Sequence, residues 1–303
     1  MISVCIPIYN CDVRKLVTEL HRQTESLPGF FELLLIDDAS EEFYRKKNRN
    51  LSSLKNVVYE ELPGNIGRSA IRNLLAKKAR SRYLLFMDCD AETDNTRFIE
   101  NYLSYCRPGI VCCGGRKNTE SSPGREYMLR WYYSVKREEV PAAIRNKNPN
   151  KSFLTFNFLI DKQLFDHLSF DEKIKGYGHE DTLFGIELSE FGIKIEHIDN
   201  PLVNTNLDTT EVYIQKTEQS IRNLPEIRER IENKKAFTDS VKLVRMGQKI
   251  SDWKLTSFVA FFFRISRKRL VAQLNSRHPN LLLFDLYKLG YFCWLETDQT
   301  VEK

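Results

Sequence analysis

The sequence predicts an α/β protein with a doubly wound, mostly parallel sheet, flanking helices and a helical extension at its C-terminal end. Three observations carry this prediction. Short apolar runs alternate with segments of helical spacing in the first third of the chain. Acidic residues come directly after several of these runs, at the sheet edge where open α/β sheets bind ligands. From about Glu211 the pattern is helical almost to the end.

The N-terminal part alternates four predicted strands with helical segments. The strands are the apolar runs Ile2–Ile8, Phe31–Ile36, Asn56–Tyr59 and Tyr83–Met87. The helical segments are Val13–Gln23, Glu41–Leu54 and Ser69–Ala79. Strands that alternate with helices indicate crossover connections and therefore a parallel sheet.

The middle of the chain is less regular. Residues 116–152 are polar, with one aromatic helix-like stretch at 127–135. An apolar run, a helix, a short strand and an extended segment then follow. They are Phe153–Ile160, a helix ending near Phe191, Lys194–Ile198 and the segment that begins at Pro201.

Charge divides the chain unevenly. The net charge is 46 − 41 = +5, but residues 226–303 carry 15 basic and 9 acidic residues, which is +6, and the first 225 residues carry 31 and 32, which is −1. We therefore predict a first domain over 1–225 and a basic, aromatic-rich helical extension over 226–303 that packs on it. A basic end of this kind indicates an anionic surface as its partner.

The composition indicates a protein that folds in the cytoplasm. The first residues lack the features of a signal peptide, and the longest apolar run, Leu255–Phe263, is about half the ~18 residues that a membrane span needs. Seven cysteines without a CxxC pair indicate neither a disulfide framework nor a zinc site. A reducing compartment is the expectation.

Two carboxylates follow the fourth predicted strand. Asp88 and Asp90 are separated by one residue, so both side chains leave the strand end on roughly the same side. Unpaired, they repel each other, and a divalent cation such as Mn²⁺ or Mg²⁺ removes that repulsion. Such a cation bridges the phosphates of a nucleoside diphosphate. The alternative interpretation is a surface turn rich in aspartate.

Five segments, in order, resemble the family 2 glycosyltransferases of the GT-A fold, over roughly residues 1–225. They are Val4–Asn10, Leu35–Ser40, Asn65–Asn73, Leu85–Asp90 and Gly176–Asp181. Each segment alone is a weak signal, and their order and spacing strengthen it. The resemblance implies that residues 1–225 form a GT-A catalytic domain.

The resemblance implies a binding site for the base of a nucleotide-sugar donor. Pro7 and Tyr9 would frame the base, and Asp38 would accept hydrogen bonds from it. The neighbouring Asp37 is the less favoured of the two carboxylates.

The resemblance also implies roles near the ribose and the phosphates. Asp88 would contact the ribose and share the cation with Asp90, the principal metal ligand. Arg72 would lie near the nucleotide, with Asn65 and Gly67 shaping the loop before its helix. The alternative interpretation of the loop is an ordinary turn and helix cap, and the two interpretations are compatible with each other.

Gly176–Asp181 is the acceptor-side segment. Its glycines allow a tight turn before a helix, and Glu180 and Asp181 then lie in the first turn, where the helix dipole favours ionised carboxylates. By resemblance Asp181 is the general base and Glu180 holds the acceptor. The alternative is helix capping by acidic residues. His179 is expected to orient Glu180, to contact the sugar or to make a structural hydrogen bond.

The sequence departs from the family pattern at one position. Family members commonly carry a metal-binding histidine shortly after the Asn-Pro that follows the strand here, where this chain has Asn204. An amide oxygen is a weaker ligand for a hard cation. His197 is expected to be a packed core histidine.

The tail contains an amphipathic helical segment. Its apolar face is predicted to carry Leu255, Phe258, Phe261, Phe262 and Ile265. The opposite face is predicted to carry Arg264, Arg267 and Lys268. One interpretation is peripheral attachment to an anionic inner membrane face. The other is that the apolar face covers the core of the first domain or forms a homodimer.

The resemblance implies an inverting, metal-dependent transfer of a sugar from a nucleotide-diphosphate sugar, with a UDP-sugar favoured, to an acceptor hydroxyl. The expected acceptor is a saccharide or a lipid-linked acceptor, and the expected pathway is the synthesis of a surface polysaccharide or a glycolipid. Nucleic acid is not an expected partner. Two alternatives stay open. A nucleotidyltransferase would need a glycine-rich, lysine-bearing loop near the N-terminus, which the chain lacks. A non-catalytic nucleotide-sugar-binding module is the other.

Overall fold

The structure is a computed structural model that describes residues 1–119, 121–174, 176 and 178–301, with no side chains for 299–301. Tyr177 of the acceptor-side segment lies outside the described residues. The strands are β1 (Ile2–Ile8), β2 (Phe31–Asp37), β3 (Val57–Glu61), β4 (Tyr83–Met87), β5 (Ala91–Glu92), β6 (Val111–Cys113), β7 (Arg116–Asn118), β8 (Asn157–Asp161), β9 (Glu196–His197) and β10 (Leu202–Asn204). The helices are α1 (Arg14–Glu25), α2 (Glu42–Asn48), α3 (Arg68–Lys78), α4 (Phe98–Leu103), α5 (Met128–Tyr133), α6 (Ala142–Arg145), α7 (Lys162–His167), α8 (Glu180–Glu190), α9 (Thr210–Arg230), α10 (Lys234–Ser240), α11 (Lys242–Asp252), α12 (Thr256–Leu274) and α13 (Leu281–Val301).

A seven-stranded sheet organises the first part of the chain, in the order β3-β2-β1-β4-β8-β6-β9. The pairs β3–β2, β2–β1 and β1–β4 are parallel, as is β6–β9, whereas β8 runs antiparallel to both of its neighbours. The predicted α/β class with a mostly parallel sheet is confirmed. The carboxyl ends of β1, β2, β3 and β4 therefore lie along one edge of the sheet.

Both faces of the sheet are covered, which explains why its strands are apolar throughout. Along β1, Val4 and Ile6 pack into one hydrophobic cluster with residues of α1 and α4, while Cys5 packs into a second cluster with residues of α3 and α7. Alternate side chains of a strand point to opposite faces, so a strand between two helical layers buries every position. The near-continuous apolar runs of the sequence follow from this arrangement.

Several predicted elements have different extents in the structure. The helical prediction over Glu41–Leu54 is divided into α2 and a 3₁₀ turn, Arg49–Ser53. The strand predicted over Lys194–Ile198 is reduced to β9. A small sheet in the order β5-β10-β7 was not predicted, because its strands have two or three residues each and carry no readable alternation.

The chain forms two compact units, which we describe separately. The first contains residues 1–119, 138–175 and 184–206, with both sheets. The second contains residues 120–137, 176–183 and 207–303. The predicted boundary at residue 225, and the packing of the extension on the first domain, stay predictions. Among the described residues, no helix is both long and apolar enough to cross a membrane.

The second unit is helical, as predicted for the C-terminal part. Aromatic rings of α5, α9 and α13 meet within it, since the ring centroid of Tyr213 lies 5.7 Å from that of Tyr133 and 5.5 Å from that of Phe284. The guanidinium of Arg137 donates to both carboxylate oxygens of Asp285, at 2.7 and 2.6 Å. These contacts join α5 and Arg137 to the helices α9 and α13.

The contacts of α12 divide the predicted basic face. Arg267 lies opposite the phenylalanines, as predicted, on the side of the helix that carries the buried Ala260 and Phe263. Its guanidinium donates to the carboxylate of Glu218 at 2.8 Å and to the Tyr287 hydroxyl at 3.4 Å, so this side packs towards α9 and α13. Lys268 departs from the prediction, because it lies three residues after Ile265 and continues the apolar face.

A fold prediction concerns the aromatic cluster under the sheet. The fully buried ring of Phe158 lies 5.0 Å from those of Phe86 and Phe153, centroid to centroid. We expect Phe158→Ala to lower the free energy of unfolding by about 3–5 kcal/mol, because the cavity cannot collapse among neighbouring rings. The matched control is Phe191→Ala, at a side chain that is 67% exposed, with a change within about 0.5 kcal/mol. Urea denaturation measures both, and similar losses would contradict the assignment of the core.

Candidate active site

The acidic pair lies at the carboxyl end of β4, beside a buried arginine. One guanidinium nitrogen of Arg72, on α3, donates to a carboxylate oxygen of Asp88 at 2.7 Å. Arg72 is only 2% exposed, and another of its nitrogens bonds the backbone carbonyl of Arg68 at 3.2 Å. The ion pair between Arg72 and Asp88 therefore fixes the position of Asp88 against α3. Arg72, predicted near the nucleotide, is brought to the acidic pair.

Asp90 lies in a less favourable electrostatic environment. Burial and the nearby charge of Asp88 raise the pKa of Asp90 to about 6, although the guanidinium groups of Arg116 and Arg68 act in the opposite direction. Arg68 approaches Asp88 to 4.0 Å. Two acids and three arginines thus share one end of the sheet, and the sequence analysis did not identify Arg68 or Arg116. The position of Arg68 within the resemblance segment Asn65–Asn73 was the available signal.

Asn204 supplies an unpaired oxygen next to this pair. The side-chain Oδ1 of Asn204 is buried and has no hydrogen-bond partner within the described part of the chain. The following residue, Thr205, donates its backbone N–H and its hydroxyl to the carbonyl of Asp90, both at 3.0 Å. Strand β10 therefore holds Asn204 close to Asp90. A buried amide oxygen without a donor is costly unless a ligand completes it.

The residues at this end of the sheet fit a hard divalent cation. The carboxylates of Asp88 and Asp90 lie close enough that the pKa of Asp90 is raised, and the Asn204 amide adds an unpaired oxygen. Together they form an oxygen-rich donor set, which Mg²⁺ and Mn²⁺ prefer. No group of three or more His, Cys, Asp or Glu that could hold a metal occurs among the described residues. The fit therefore depends on the Asn204 amide together with the two acids.

The carboxylate of Asp38 holds the loop before α3. Its two oxygens accept from the backbone N–H groups of Ile66, at 2.7 Å, and Gly67, at 3.0 Å, while its backbone carbonyl accepts from the Asn65 side chain at 3.2 Å. Gly67 has a φ of 87°, which a residue without a side chain adopts at little cost. The structure thus brings together Asp38, Asn65 and Gly67. The contact of Asp38 with a base stays a prediction.

Asp37 is fully engaged inside the protein. Its carboxylate accepts from the backbone N–H of Ser40 at 2.7 Å and from the Tyr59 hydroxyl at 3.0 Å, and the residue has no exposed surface. Burial and the carboxylate of Asp37 raise the pKa of Tyr59 well above its usual range. These contacts explain why Asp37 is the less suitable of the two neighbours for a ligand.

The end of β1 offers an accessible ring. Tyr9 is 55% exposed, directly after the strand, and Pro7 is partly buried within it. Asn10 has a φ of 49° and is bonded to the loop after β2. Its backbone N–H donates to the Ser40 hydroxyl, and its Oδ1 accepts from the backbone N–H of Glu41, both at 2.8 Å. The geometry leaves the Tyr9 ring free to stack on a ligand. Sequence reasoning missed Asn10 and Ser40.

The acceptor-side segment lies in the second unit, directly against α9. An added Cβ would come within 2.2 Å of the Gln219 side chain at Gly176 and within 2.6 Å of the Ser220 hydroxyl at Gly178. Both glycines have positive φ, 83° and 103°. His179 also has a positive φ, 72°, and its Nε2 lies 3.0 Å from the Ser220 hydroxyl. The close approach and the backbone geometry together explain the two glycines.

Glu180 and Asp181 begin α8, as predicted. Glu180 is 7% exposed, and Asp181 is partly exposed, with one carboxylate oxygen accepting from the backbone N–H of Thr182 at 2.7 Å. Burial lowers the pKa of His179 to about 4, against the raising effect of the Glu180 charge, so this imidazole is neutral near pH 7. Its bond to Ser220 is a structural hydrogen bond, one of the roles expected for it. The catalytic roles of Glu180 and Asp181 stay predictions.

His197 and the surface carboxylate of Asp12 lie outside the acidic pair. His197 is buried between Arg145, at 2.6 Å from its Nδ1, and the carbonyl of Pro149, at 2.8 Å from its Nε2, which is the core position expected for it. Asp12 pairs with Arg14 at 2.7 Å and Lys47 at 3.4 Å on the surface.

A comparison of two arginines on α3 tests the geometry of the acidic pair. Arg72→Met leaves the Asp88 carboxylate without its buried partner, and we expect a loss of about 3 kcal/mol or more in the free energy of unfolding. Arg68→Met removes a cation whose side chain is 41% exposed and 4.0 Å from the same carboxylate, and we expect a loss of less than about 1 kcal/mol. Urea denaturation measures both variants. Equal losses would mean that Arg72 is not the residue that holds Asp88.

Solved structures with a similar fold include TarS of S. aureus and a mannosyltransferase. S. aureus TarS shares 19% identity with this chain, over 73% of this chain and 39% of TarS, with a TM-score of 0.51. A shorter TarS chain, TarS 1-349 in complex with UDP, shares 18% identity over 99% of this chain and 91% of that one, with a TM-score of 0.52. The mannosyltransferase PcManGT from Pyrobaculum calidifontis, in complex with GDP-Man and Mn²⁺, shares 12% identity over 100% and 88%, with a TM-score of 0.59.

At these identities the structures establish the shared fold. No curated protein sequence matches the chain. Residues 3–169, more than half of the chain, match the sequence profile of glycosyl transferase family 2. This match covers β1 to β4, the acidic pair and the Asp38 loop. The chain belongs to glycosyl transferase family 2.

Proposed function

We propose that this protein transfers a sugar from a nucleotide-diphosphate sugar to an acceptor hydroxyl, with inversion at the anomeric carbon. The observation that carries the proposal is the acidic pair Asp88 and Asp90 at the carboxyl end of β4, in a chain of glycosyl transferase family 2. Similar folds occur in complexes with UDP, UDP-GlcNAc and GDP-Man, which supports a nucleotide-sugar donor. We favour a UDP-sugar.

The donor would bind along the carboxyl edge of the parallel strands. The exposed Tyr9 ring, with Pro7, would frame the base, and the Asp38 carboxylate retains lone pairs beside the two that hold the Ile66 and Gly67 amides. Asp88 would contact the ribose. Arg68 is well placed to neutralise phosphate charge, because its side chain is 41% exposed close to Asp88.

A divalent cation would be held by Asp90 and Asp88, with the Asn204 amide oxygen as a third donor. When bound, such a cation stabilises the negative charge of the departing nucleoside diphosphate. The structure of PcManGT was determined with Mn²⁺, and that fact belongs to that protein. The support in this chain is the unpaired Oδ1 of Asn204 next to Asp90.

On the acceptor side, Asp181 would accept the proton of the attacking hydroxyl, and Glu180 would hold the acceptor. Both acids lie in the first turn of α8, where the helix dipole favours the ionised form that a base requires. Membership of the family disfavours the nucleotidyltransferase alternative. The remaining alternative, a non-catalytic nucleotide-sugar-binding module, predicts donor binding without turnover.

We propose that the acceptor is a saccharide or a lipid-linked saccharide, in the synthesis of a surface polysaccharide or glycolipid. The protein would then work in the cytoplasm, attached peripherally to the inner face of a membrane. The support is the basic excess of residues 226–303 and the exposed phenylalanines of α12.

The first test of this function concerns the cation. We expect Asp90→Asn to abolish the Mn²⁺-dependent part of UDP binding in a calorimetric titration, because the site loses its principal anionic ligand. Asn204→Ala should weaken Mn²⁺ binding and Asn204→Asp should strengthen it, as followed by electron paramagnetic resonance. The control is Asp12→Asn, a carboxylate that already pairs with Arg14 on the surface. Unchanged Mn²⁺ and UDP affinity in Asp90→Asn would remove the metal assignment.

The second test concerns the base. Asp181→Asn keeps the shape of the side chain and removes the proton acceptor, so we expect turnover to fall by roughly 10² to 10⁴ while UDP binding persists. The control is Glu190→Gln, an exposed acid at the other end of the same helix. Near-normal turnover of Asp181→Asn would assign the base to another residue. The wild-type protein should hydrolyse the donor or transfer its sugar in the same assay. No turnover by the wild type would favour the non-catalytic binding module.

A further inference from the structure

One helix of the second unit exposes a row of large apolar side chains. Phe258, Phe261, Phe262 and Ile265 follow the i, i+3, i+4, i+7 spacing of a single face of α12. They are 61%, 59%, 48% and 61% exposed. The ring centroids of Phe258 and Phe262 lie 4.6 Å apart, so the row forms a continuous patch. Single exposed apolar residues are ordinary, whereas a row of this kind marks an interaction surface.

The same face continues into two basic residues. Lys268 and Arg269 come three and four residues after Ile265, which places them on that face about one turn further along the helix. Both are exposed, and neither makes an ion pair among the described residues. We call Phe258, Phe261, Phe262, Ile265, Lys268 and Arg269 the α12 stripe.

The charge of α12 identifies the partner. The helix contains Arg264, Arg267, Lys268 and Arg269 and no acidic residue. Arg267 is already neutralised by Glu218, so three cations remain for an external partner. Two copies of this helix could not supply charge partners to each other. An anionic lipid surface offers both the apolar layer for the phenylalanines and the negative charge for the cations.

The inner residues of α12 keep the stripe turned outwards. Phe263 is 3% exposed, and its ring centroid lies 5.2 Å from that of Tyr287 on α13. An added Cβ at Gly290 of α13 would come within 2.5 Å of the Phe263 ring, so the two helices are closely packed. Within this unit the stripe therefore cannot rotate into the α12–α13 contact without opening it.

We propose that the α12 stripe lies in the plane of an anionic membrane surface, with its phenylalanines at the acyl boundary and Lys268 and Arg269 at the phosphate groups. The inference rests on the peripheral location proposed above and names the surface responsible. Amphipathic helices with aromatic and basic residues bind bilayer interfaces in this orientation. Trp253, 69% exposed just before the helix, would add an interfacial anchor.

The test is sedimentation of the whole chain with lipid vesicles in the absence of donor. We expect binding to phosphatidylglycerol–phosphatidylcholine vesicles at low salt and little binding to pure phosphatidylcholine. The variant Lys268→Gln/Arg269→Gln should bind about 30-fold more weakly, at roughly a factor of five for each lost charge. Phe258→Ser/Phe262→Ser should lower binding at least about tenfold relative to the wild type. This loss should be the same at low and high salt, because salt does not screen the apolar contribution.

Matched controls separate this surface from general charge and hydrophobicity. Lys234→Gln/Lys235→Gln removes two exposed lysines of α10 in the same unit, and Phe191→Ser removes an exposed phenylalanine of the first unit. Both controls should bind as the wild type does. Equal losses in a control and in the corresponding stripe variant would overturn the proposal, as would equal binding to neutral vesicles or no binding at all.

Two further measurements keep the result unambiguous. Thermal unfolding of each variant should match that of the wild type, since the altered side chains are exposed. Analytical ultracentrifugation that finds a dimer dispersed by Phe258→Ser/Phe262→Ser would assign the stripe to a second copy of the chain and overturn the lipid assignment. UDP binding should be the same in all stripe variants, so a failure of the transferase proposal is distinguishable from a failure of this one.

Discussion

The ion pair between Arg72 and Asp88 is the interaction on which the proposed donor site depends. It joins α3 to the end of β4 in a place where the arginine is almost wholly buried. Removal of either partner would leave a charge in a poorly solvated position, so the two residues specify each other. With Asp88 held on one side, Asp90 remains as the carboxylate with a raised pKa. The proposed cation would thereby be held by residues that the fold already requires.

Much of this arrangement was readable in the sequence, because it rests on local patterns. The apolar runs gave the strands of the parallel half of the sheet, and the acids after those runs gave Asp38, Asp88 and Asp90. Asp181 was placed correctly in the first turn of its helix because glycines followed by acids are a local signal of a helix start. In each of these cases the determining residues are neighbours in the chain.

The rest depended on contacts between distant residues. No residue near Asp38 in the sequence indicates that its carboxylate accepts hydrogen bonds from the backbone amides of Ile66 and Gly67. The two-residue and three-residue strands of the small sheet are too short to have a period, so only the family resemblance, and no local pattern, indicated Asn204 as a neighbour of the acidic pair. Helical spacing placed Arg267 opposite the phenylalanines, but it does not reveal that Glu218 and Tyr287 contact this arginine.

The cross-links among the loops after β1, β2 and β3 have a consequence for the energetics of recognition. Asn10 is bonded to Ser40 and Glu41, and Asp38 to the loop before α3, so three separate loops form a single hydrogen-bonded rim. The conformational entropy of ordering this rim is lost when the protein folds. A nucleotide that bound at the proposed donor site would meet a preorganised edge, and its affinity would not be reduced by the cost of immobilising flexible loops.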